Sequence, residues 1–417
     1  MPPLADSSLA LLARGYDWAP ALRRRHGDSP AVPMRLMGRP ALLLHGPAAI
    51  AFFYDERHVL RHGALPAPVL DTLFGRGAVH TLDGAAHAVR KELFTSLLMT
   101  PEGVDSLGRL AREHWLRRID GLRGRRAVLF DEMAVALAGA AAEWSGLPGA
   151  ADAPTVRRLA EDCVAMVDGF ATPGPRHWKA RRARNRQEVA LARAVADARR
   201  GTLVPHPGDG PSVLEAVARH RDADGALLDL PTAAVEVLNV LRPVVAVAWF
   251  AAFAAHALHR FPEVRGRLHT DGTPYARAFA HEVRRAYPFV PFVGGLAARP
   301  LRFQGYDVPE GTLVLLDVAG HHRDPELWPA PRRFDPRRFL DREPGPGELI
   351  PQGGGDPHTG HRCPGEDITV HLLATLAATL ADLDLEVPEQ DLGIPTRRIP
   401  TRPRSGVIVR IPAAATA

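Results

Sequence analysis

Cysteine is nearly absent from this chain, with two thiols, Cys163 and Cys363, among 417 residues. So few exclude a disulfide framework and point to a reducing compartment. Long apolar runs are missing as well. Although 46% of the residues are hydrophobic, none form a continuous apolar stretch of about 18, the length a helix needs to span a bilayer. The opening Met1-Pro2-Pro3-Leu4-Ala5-Asp6 has no charged segment followed by an apolar one, which excludes an ordinary secretory signal. These absences predict a soluble, cytoplasmic chain of bacterial type with no transmembrane anchor. There is no internal repeat, and no nucleic-acid motif accompanies the net charge of +5. The basic cluster Arg176, Lys179, Arg181, Arg182, Arg184 and Arg186 reads as a solvated helix face with some attraction for anionic amphiphiles or a membrane surface.

What the chain does have is helical periodicity. Leu107 to Leu122, Ala127 to Trp144, Thr155 to Phe170, Gln187 to Arg200, Leu230 to Leu258, Tyr275 to Tyr287 and Glu366 to Leu383 all read as helices. Ala41 to Leu44, Leu301 to Phe303, Thr312 to Asp317 and Gly406 to Ile411 fit short strands. Val204 to Pro211, rich in Pro and Gly, reads as a loop because helical patterns resume on both sides. The sum is a mainly α chain with a small β-rich lobe, taken as one domain over residues 1–417, a length that also admits two. Cys163 falls in a helical pattern and reads as packing.

Two local features carry chemistry. Gly360-His361-Arg362-Cys363-Pro364-Gly365-Glu366 places a cysteine at the start of a helix, where the N-terminal dipole favours thiolate. Pro364 and Gly365 keep the turn small, which suits a flat macrocycle lying on it; the plainer alternative is a Gly/Pro turn with a stray Cys. The second feature is Arg242-Pro243 in the middle of a long apolar helix. An unpaired buried charge costs several kcal/mol, so Arg242 needs an anion unless it snorkels to solvent. Pro243 frees the carbonyl four residues back and opens the helix locally.

Glu282 and Arg285, three apart on one helix face, can form an ion pair. Followed in order by Phe334-Asp335-Pro336-Arg337-Arg338-Phe339 and then Cys363, they resemble the cytochrome P450 superfamily. The resemblance implies a haem b held by the Cys363 thiolate, between a long distal helix and the helix after the cysteine loop, with Arg338 joining the Glu282–Arg285 pair behind the proximal haem face. The chain departs from the pattern in two places. Asp356 and His361 stand where an aromatic and an Arg are usual. The distal stretch Val237-Leu238-Asn239-Val240-Leu241-Arg242-Pro243-Val244-Val245 has no acid followed by an alcohol. An anionic substrate supplies what both features lack: its carboxylate pairs with the Arg242 fork and does the missing acid–base work.

This is similar to one branch of the superfamily, the fatty-acid peroxygenases. Further likenesses are Val79-His80-Thr81-Leu82-Asp83-Gly84, Gly174-Pro175-Arg176-His177-Trp178-Lys179, Tyr287-Pro288-Phe289 and Ile350-Pro351-Gln352-Gly353-Gly354-Gly355. Val290 stands where the branch often has Gly, and Arg337 where the superfamily often has Glu. The branch implies that hydrogen peroxide oxidises a long-chain fatty acid with no obligatory redox partner, giving α- or β-hydroxy acids, terminal alkenes, or both. In the same resemblance His80 overlies the distal haem face, its near-neutral pKa suiting a proton donor that biases the reaction toward alkene. His87 and Lys91, four apart, hold haem propionates with Arg61 and Arg362. Phe74, Phe289, Val290 and Phe292 line the acyl chain. A reductase-dependent monooxygenase and a haem sensor without turnover remain the alternatives.

Overall fold

The computed structural model describes residues 6–202, 211–383 and 385–412. The first five residues and, apart from its last residue, the expected loop over 204–211 lie outside them. The helices run in order: α1 (Ser8–Arg14), α2 (Trp18–Arg25), α3 (Pro47–Phe53), α4 (Ala67–Val69), α5 (Gly84–Leu98), α6 (Pro101–Asp120), α7 (Leu129–Trp144), α8 (Ala153–Asp168), α9 (Pro175–Arg199), α10 (Val213–Arg219), α11 (Leu230–Arg260), α12 (Pro262–Thr270), α13 (Gly272–Ala286), α14 (Val318–His321) and α15 (Glu366–Asp382). The strands are β1 (Ala31–Leu36), β2 (Arg39–Leu44), β3 (Val59–Leu60), β4 (Arg126–Val128), β5 (Phe292–Ala297), β6 (Leu301–Phe303), β7 (Tyr306–Val308), β8 (Leu313–Asp317) and β9 (Ile408–Arg410). The mainly α chain with a small β lobe is therefore observed.

At the centre is α11, which packs against α7, α8, α9, α13 and α15. Asp229 caps its start by accepting from the Thr232 amide at 2.7 Å, and Phe261 ends it just before Pro262, as a residue preceding proline tends to do. Its sequence is apolar on all sides, and such a helix must be enclosed. By length and composition alone it could cross a membrane, although it holds no continuous apolar run of about 18 residues. However, 94% of its most apolar window is buried inside the protein.

The lobe is a five-stranded sheet in the order β1-β2-β8-β5-β3, antiparallel except for the parallel pair β2 and β8. β1 and β2 meet at Met37-Gly38, both with positive φ, the turn geometry that matches strand twist. One sheet face packs α3, Phe303 and Ile350, while the other packs Trp18, Ala19 and Leu22 of α2.

Behind the cysteine helix, Arg285 and Glu282 form the expected ion pair at 2.6 and 2.7 Å, both buried. Glu282 also accepts from the Asp335 amide at 2.8 Å, Arg338 Nε lies 3.7 Å away, and Arg285 reaches the carbonyls of His322 and Pro331. Removing one partner of a buried pair leaves an uncompensated charge costing about 3–5 kcal/mol. Glu282→Ala is thus expected to lower the denaturant midpoint by a loss of that size; an unchanged midpoint would show that the network adds nothing to stability.

Candidate active site

The distal side is built from three separated segments. Leu70–Phe74 forms a π-helical turn, Val79–Thr81 a single 3₁₀ turn, and α11 runs across both. Between the turns, Gly75 has φ of 90°, and a Cβ there would sit 2.1 Å from Arg184 Nη2 and 2.7 Å from Val235 Cγ1. Only glycine fits. Arg184 is 2% exposed, donates to the Leu73 carbonyl at 2.6 Å and pairs with Glu188 at 2.6 Å. Although Lys179, Arg181 and Arg182 are solvated as expected, Arg184 is an internal brace.

These turns bring Phe74, His80 and Arg242 together, as expected. The rings of Phe74 and His80 lie 4.7 Å apart, and Arg242 Cζ lies 5.8 Å from the Phe74 centroid. Arg242 is 4% exposed, and its Nη1 has no hydrogen-bond partner. Burial, reinforced by the charge of Arg184, pushes its pKa down to about 9. The snorkelling alternative is thereby overturned. From Ala233 to Ala255, Pro243 alone on α11 is not buried; it is exposed. Burial, then the charge of Arg242, pushes His80 down to about 3, and its Nδ1 is unpartnered. This corrects the near-neutral value expected from sequence: His80 is a neutral imidazole at physiological pH, able to donate only through a ring N–H.

On the opposite side, the Cys363 amide donates to the Gln352 carbonyl at 3.0 Å, and Gln352 Nε2 lies 3.9 Å from Sγ and 2.9 Å from Thr369 Oγ1. Lys91 Nζ donates to the Arg362 carbonyl at 2.5 Å, bracing the loop from α5. Arg362 turns to Glu366 at 2.6 Å, which also pairs with Arg284. Gly353 and Gly355, both at positive φ, wrap closely around Tyr54. Burial pushes the Cys363 thiol up, against the opposing pull of the Gly365 amide, Lys91 and Gln352. Burial thus outweighs the helix-start effect expected from sequence, and it is a metal ion that deprotonates a buried coordinating thiol outright. α5 joins the two walls, since Arg90 reaches the Gly77 carbonyl at 3.3 Å while Lys91 braces the cysteine loop.

At the edge, the His87 and His361 rings stack at 4.0 Å, and His361 Nε2 lies 3.4 Å from Asp83 and 3.5 Å from Glu56. Burial pushes His87 down to about 4 and Lys91 to about 8. Arg61 lies 4.2 Å over the Phe53 ring, buried, with Nη1 unpartnered. The unpartnered guanidinium nitrogen of Arg61, together with Lys91 and the two imidazoles, fits the carboxylates of a haem, and the Cys363 sulfur fits its iron.

The acyl-chain residues divide. Phe289 packs 5.0 Å from Phe250, and Val290 packs with the sheet cluster. Phe292 is instead on β5, pointing to the other sheet face, where its ring lies 5.6 Å from Trp18. It packs the lobe and is not brought to Phe74.

The cytochrome P450 family model matches residues 269–409. Among curated proteins, cytochrome P450 4A7 of Oryctolagus cuniculus is 30% identical over 184 residues, 40% of this chain and 35% of that protein, so the match spans about a third of that relative's length. Two solved structures are similar throughout. Cytochrome P450EX alpha (CYP152N1), solved with myristic acid, is 37% identical with a TM-score of 0.91, covering 97% of this chain and 96% of that one. The chain belongs to the cytochrome P450 family, in its fatty-acid peroxygenase branch. A single-substitution variant of cytochrome P450 OleT, solved with arachidonic acid, is 34% identical with a TM-score of 0.92 and the same coverages. This P450 is accordingly a haem-thiolate oxidoreductase, with Cys363 as the haem iron ligand.

Sequence reasoning passed over Gln352 as a partner of Cys363, and over the buried Glu236, Arg90 and Asn239. For Glu236 and Asn239 the signal was a polar residue inside an otherwise apolar helix; Gln352 in its loop and Arg90 among the charges of α5 gave none.

Proposed function

We propose that this P450 oxidises long-chain fatty acids with hydrogen peroxide, holding the substrate carboxylate on Arg242. The observation that carries the reading is the unpartnered Nη1 of a buried Arg242 beside Phe74 and His80, in a helix with no acid–alcohol pair. A charged fork of this kind accepts a carboxylate bidentately. That two structural neighbours were solved with myristic and arachidonic acid supports the substrate class.

Bound haem with a thiolate ligand supplies the breaking of the peroxide O–O bond and the oxidation of a nearby C–H bond. The chain's own residues select which C–H bond. Arg242 fixes the carboxylate and hence keeps the α and β carbons close by, at a fixed distance from it. The carboxylate, held in a site that excludes water, is placed to take and return a proton, the work for which α11 has no side chain. Pairing the carboxylate with Arg242 also cancels the positive charge that holds His80 down, so substrate binding raises the His80 pKa. Because burial is the larger cause, His80 stays neutral and acts as an N–H donor toward the carboxyl end.

The test is incubation of purified haem protein with hydrogen peroxide and saturated fatty acids, without reductase, followed by mass spectrometry. Hydroxy acids, terminal alkenes or both are expected, and replacing His80 by Gln is expected to lower the alkene share. Intact acids under peroxide, with turnover restored by a reductase, would overturn the peroxide reading.

A further inference from the structure

Glu236 on α11 is fully buried, and nothing in the proposed chemistry uses it. Its Oε1 accepts from the Val79 amide at 2.8 Å and from Arg90 Nη1 at 2.7 Å; its Oε2 accepts from Asn239 Nδ2 at 3.0 Å. Each partner belongs to a different part of the site. Val79 opens the turn that carries His80. Asn239 lies one helical turn before Arg242, and its Oδ1, turned away from Glu236, has no partner. Arg90 on α5 also reaches the Gly77 carbonyl at 3.3 Å and pairs with Asp222. One carboxylate therefore ties the His80 turn, the Arg242 helix and the helix that braces the cysteine loop.

We infer that Glu236 is a positioning residue that sets His80 against Arg242 through the Val79 amide. The 3₁₀ turn is held by just two backbone bonds, Thr81 amide to Ala78 carbonyl at 2.8 Å and Leu82 amide to Val79 carbonyl at 3.2 Å, so an external acceptor on the rigid core helix fixes where its ring points. A buried carboxylate suits this junction because it alone accepts from three donors at once while neutralising Arg90. Gly75 and Gly77 on the near side of the turn have positive φ and supply no side chains of their own to hold it.

This rests on the proposed pairing of Arg242 and His80, and the test separates the two. Haem-loaded protein is prepared with Glu236→Leu, His80→Gln and both together. Val79→Pro is the second route, since it deletes only the amide donor at a helix-start position that suits proline. Deuterium exchange of a peptide covering residues 77–82 is expected to quicken about tenfold in Glu236→Leu and in Val79→Pro, with the peptide covering 366–382 unchanged. Peroxide-driven turnover is expected to fall about tenfold on Glu236→Leu in the native background and by less than about twofold in His80→Gln, the non-additivity of residues acting as one unit. Equal losses in both backgrounds, or unchanged exchange at 77–82, would overturn the positioning role. A parent enzyme with no peroxide turnover would instead count against the proposed function, leaving the exchange result to decide the tether.

Discussion

Cys363→Ser is expected to abolish the absorption signature of thiolate-ligated haem and with it peroxide-driven turnover, while leaving the fold intact. The reasoning begins with what Cys363 does for the protein alone. Its amide bonds to Gln352 through the backbone, which serine retains, and its sulfur is approached by the Gly365 amide, a donor that a serine oxygen also accepts, and by Gln352 Nε2 at a long 3.9 Å. Little folding energy depends on the sulfur. What depends on it is anionic ligation, and a buried serine hydroxyl in the same place is far harder to deprotonate than a thiol already raised by burial. The check is the carbon monoxide difference spectrum of the reduced protein beside its thermal unfolding. A serine variant with an undisturbed thiolate spectrum would refute the ligand assignment; one that unfolds with its secondary structure lost would show that the cysteine is structural as well.

The parts of this site that can be read from the sequence are those where one residue contradicts its surroundings. Arg242-Pro243 in an all-apolar helix and Glu282-x-x-Arg285 in a helical face both announce themselves, because a buried charge needs a partner and the partner or its absence is local. The cysteine loop is equally plain. What stays hidden depends on pairing across the chain. Glu236 looks like a stray acid near the start of α11 until Val79 and Arg90, some 150 residues away, are seen to converge on it. Arg184 sits in a run of arginines whose neighbours are solvated, and only the close approach of Gly75 and the Leu73 carbonyl distinguishes it.

Secondary structure fails in the same way. Most of the long helices follow their periodicity to within a few residues, although α6 begins at Pro101 rather than Leu107 and α9 at Pro175 rather than Gln187; α5 escapes it, since His87, Arg90 and Lys91 are buried together with Leu93 and Phe94, so no clean apolar stripe forms. β5 escapes because Gly294 and Gly295 interrupt its alternation. With the strand unseen, Phe292 reads as a turn residue beside Phe289, although a period of two sends it to the opposite sheet face from Val293. Burial likewise reverses two inferences that dipoles and ordinary pKa values suggest, at Cys363 and His80.

Arg242→Ala is expected to cost most of the fatty-acid turnover and to weaken fatty-acid binding about tenfold to a hundredfold, since a hydrogen bond to a charged group is worth roughly 1.5 to 3 kcal/mol. Haem content should be retained, because Arg242 touches no residue of the cysteine loop by hydrogen bond or ion pair among the described residues. Without substrate the arginine is a liability: it is buried, lacks a carboxylate partner, and its pKa is pushed down to about 9. Arg242→Met, which fills similar space without charge, should therefore bind fatty acid as poorly as the alanine variant yet unfold at an equal or higher denaturant concentration than the native protein. The same argument fixes a pH dependence. Arg242 stays charged across the working range, so the proton that matters is the substrate's own: binding is weak where the fatty acid is protonated and strengthens as pH rises through the carboxylate's pKa. Spectral titration of fatty acid across that range, in native and Met variants, checks both halves. Native affinity unchanged when the acid is protonated, or equal affinity in the two proteins, would show that the carboxylate is held elsewhere.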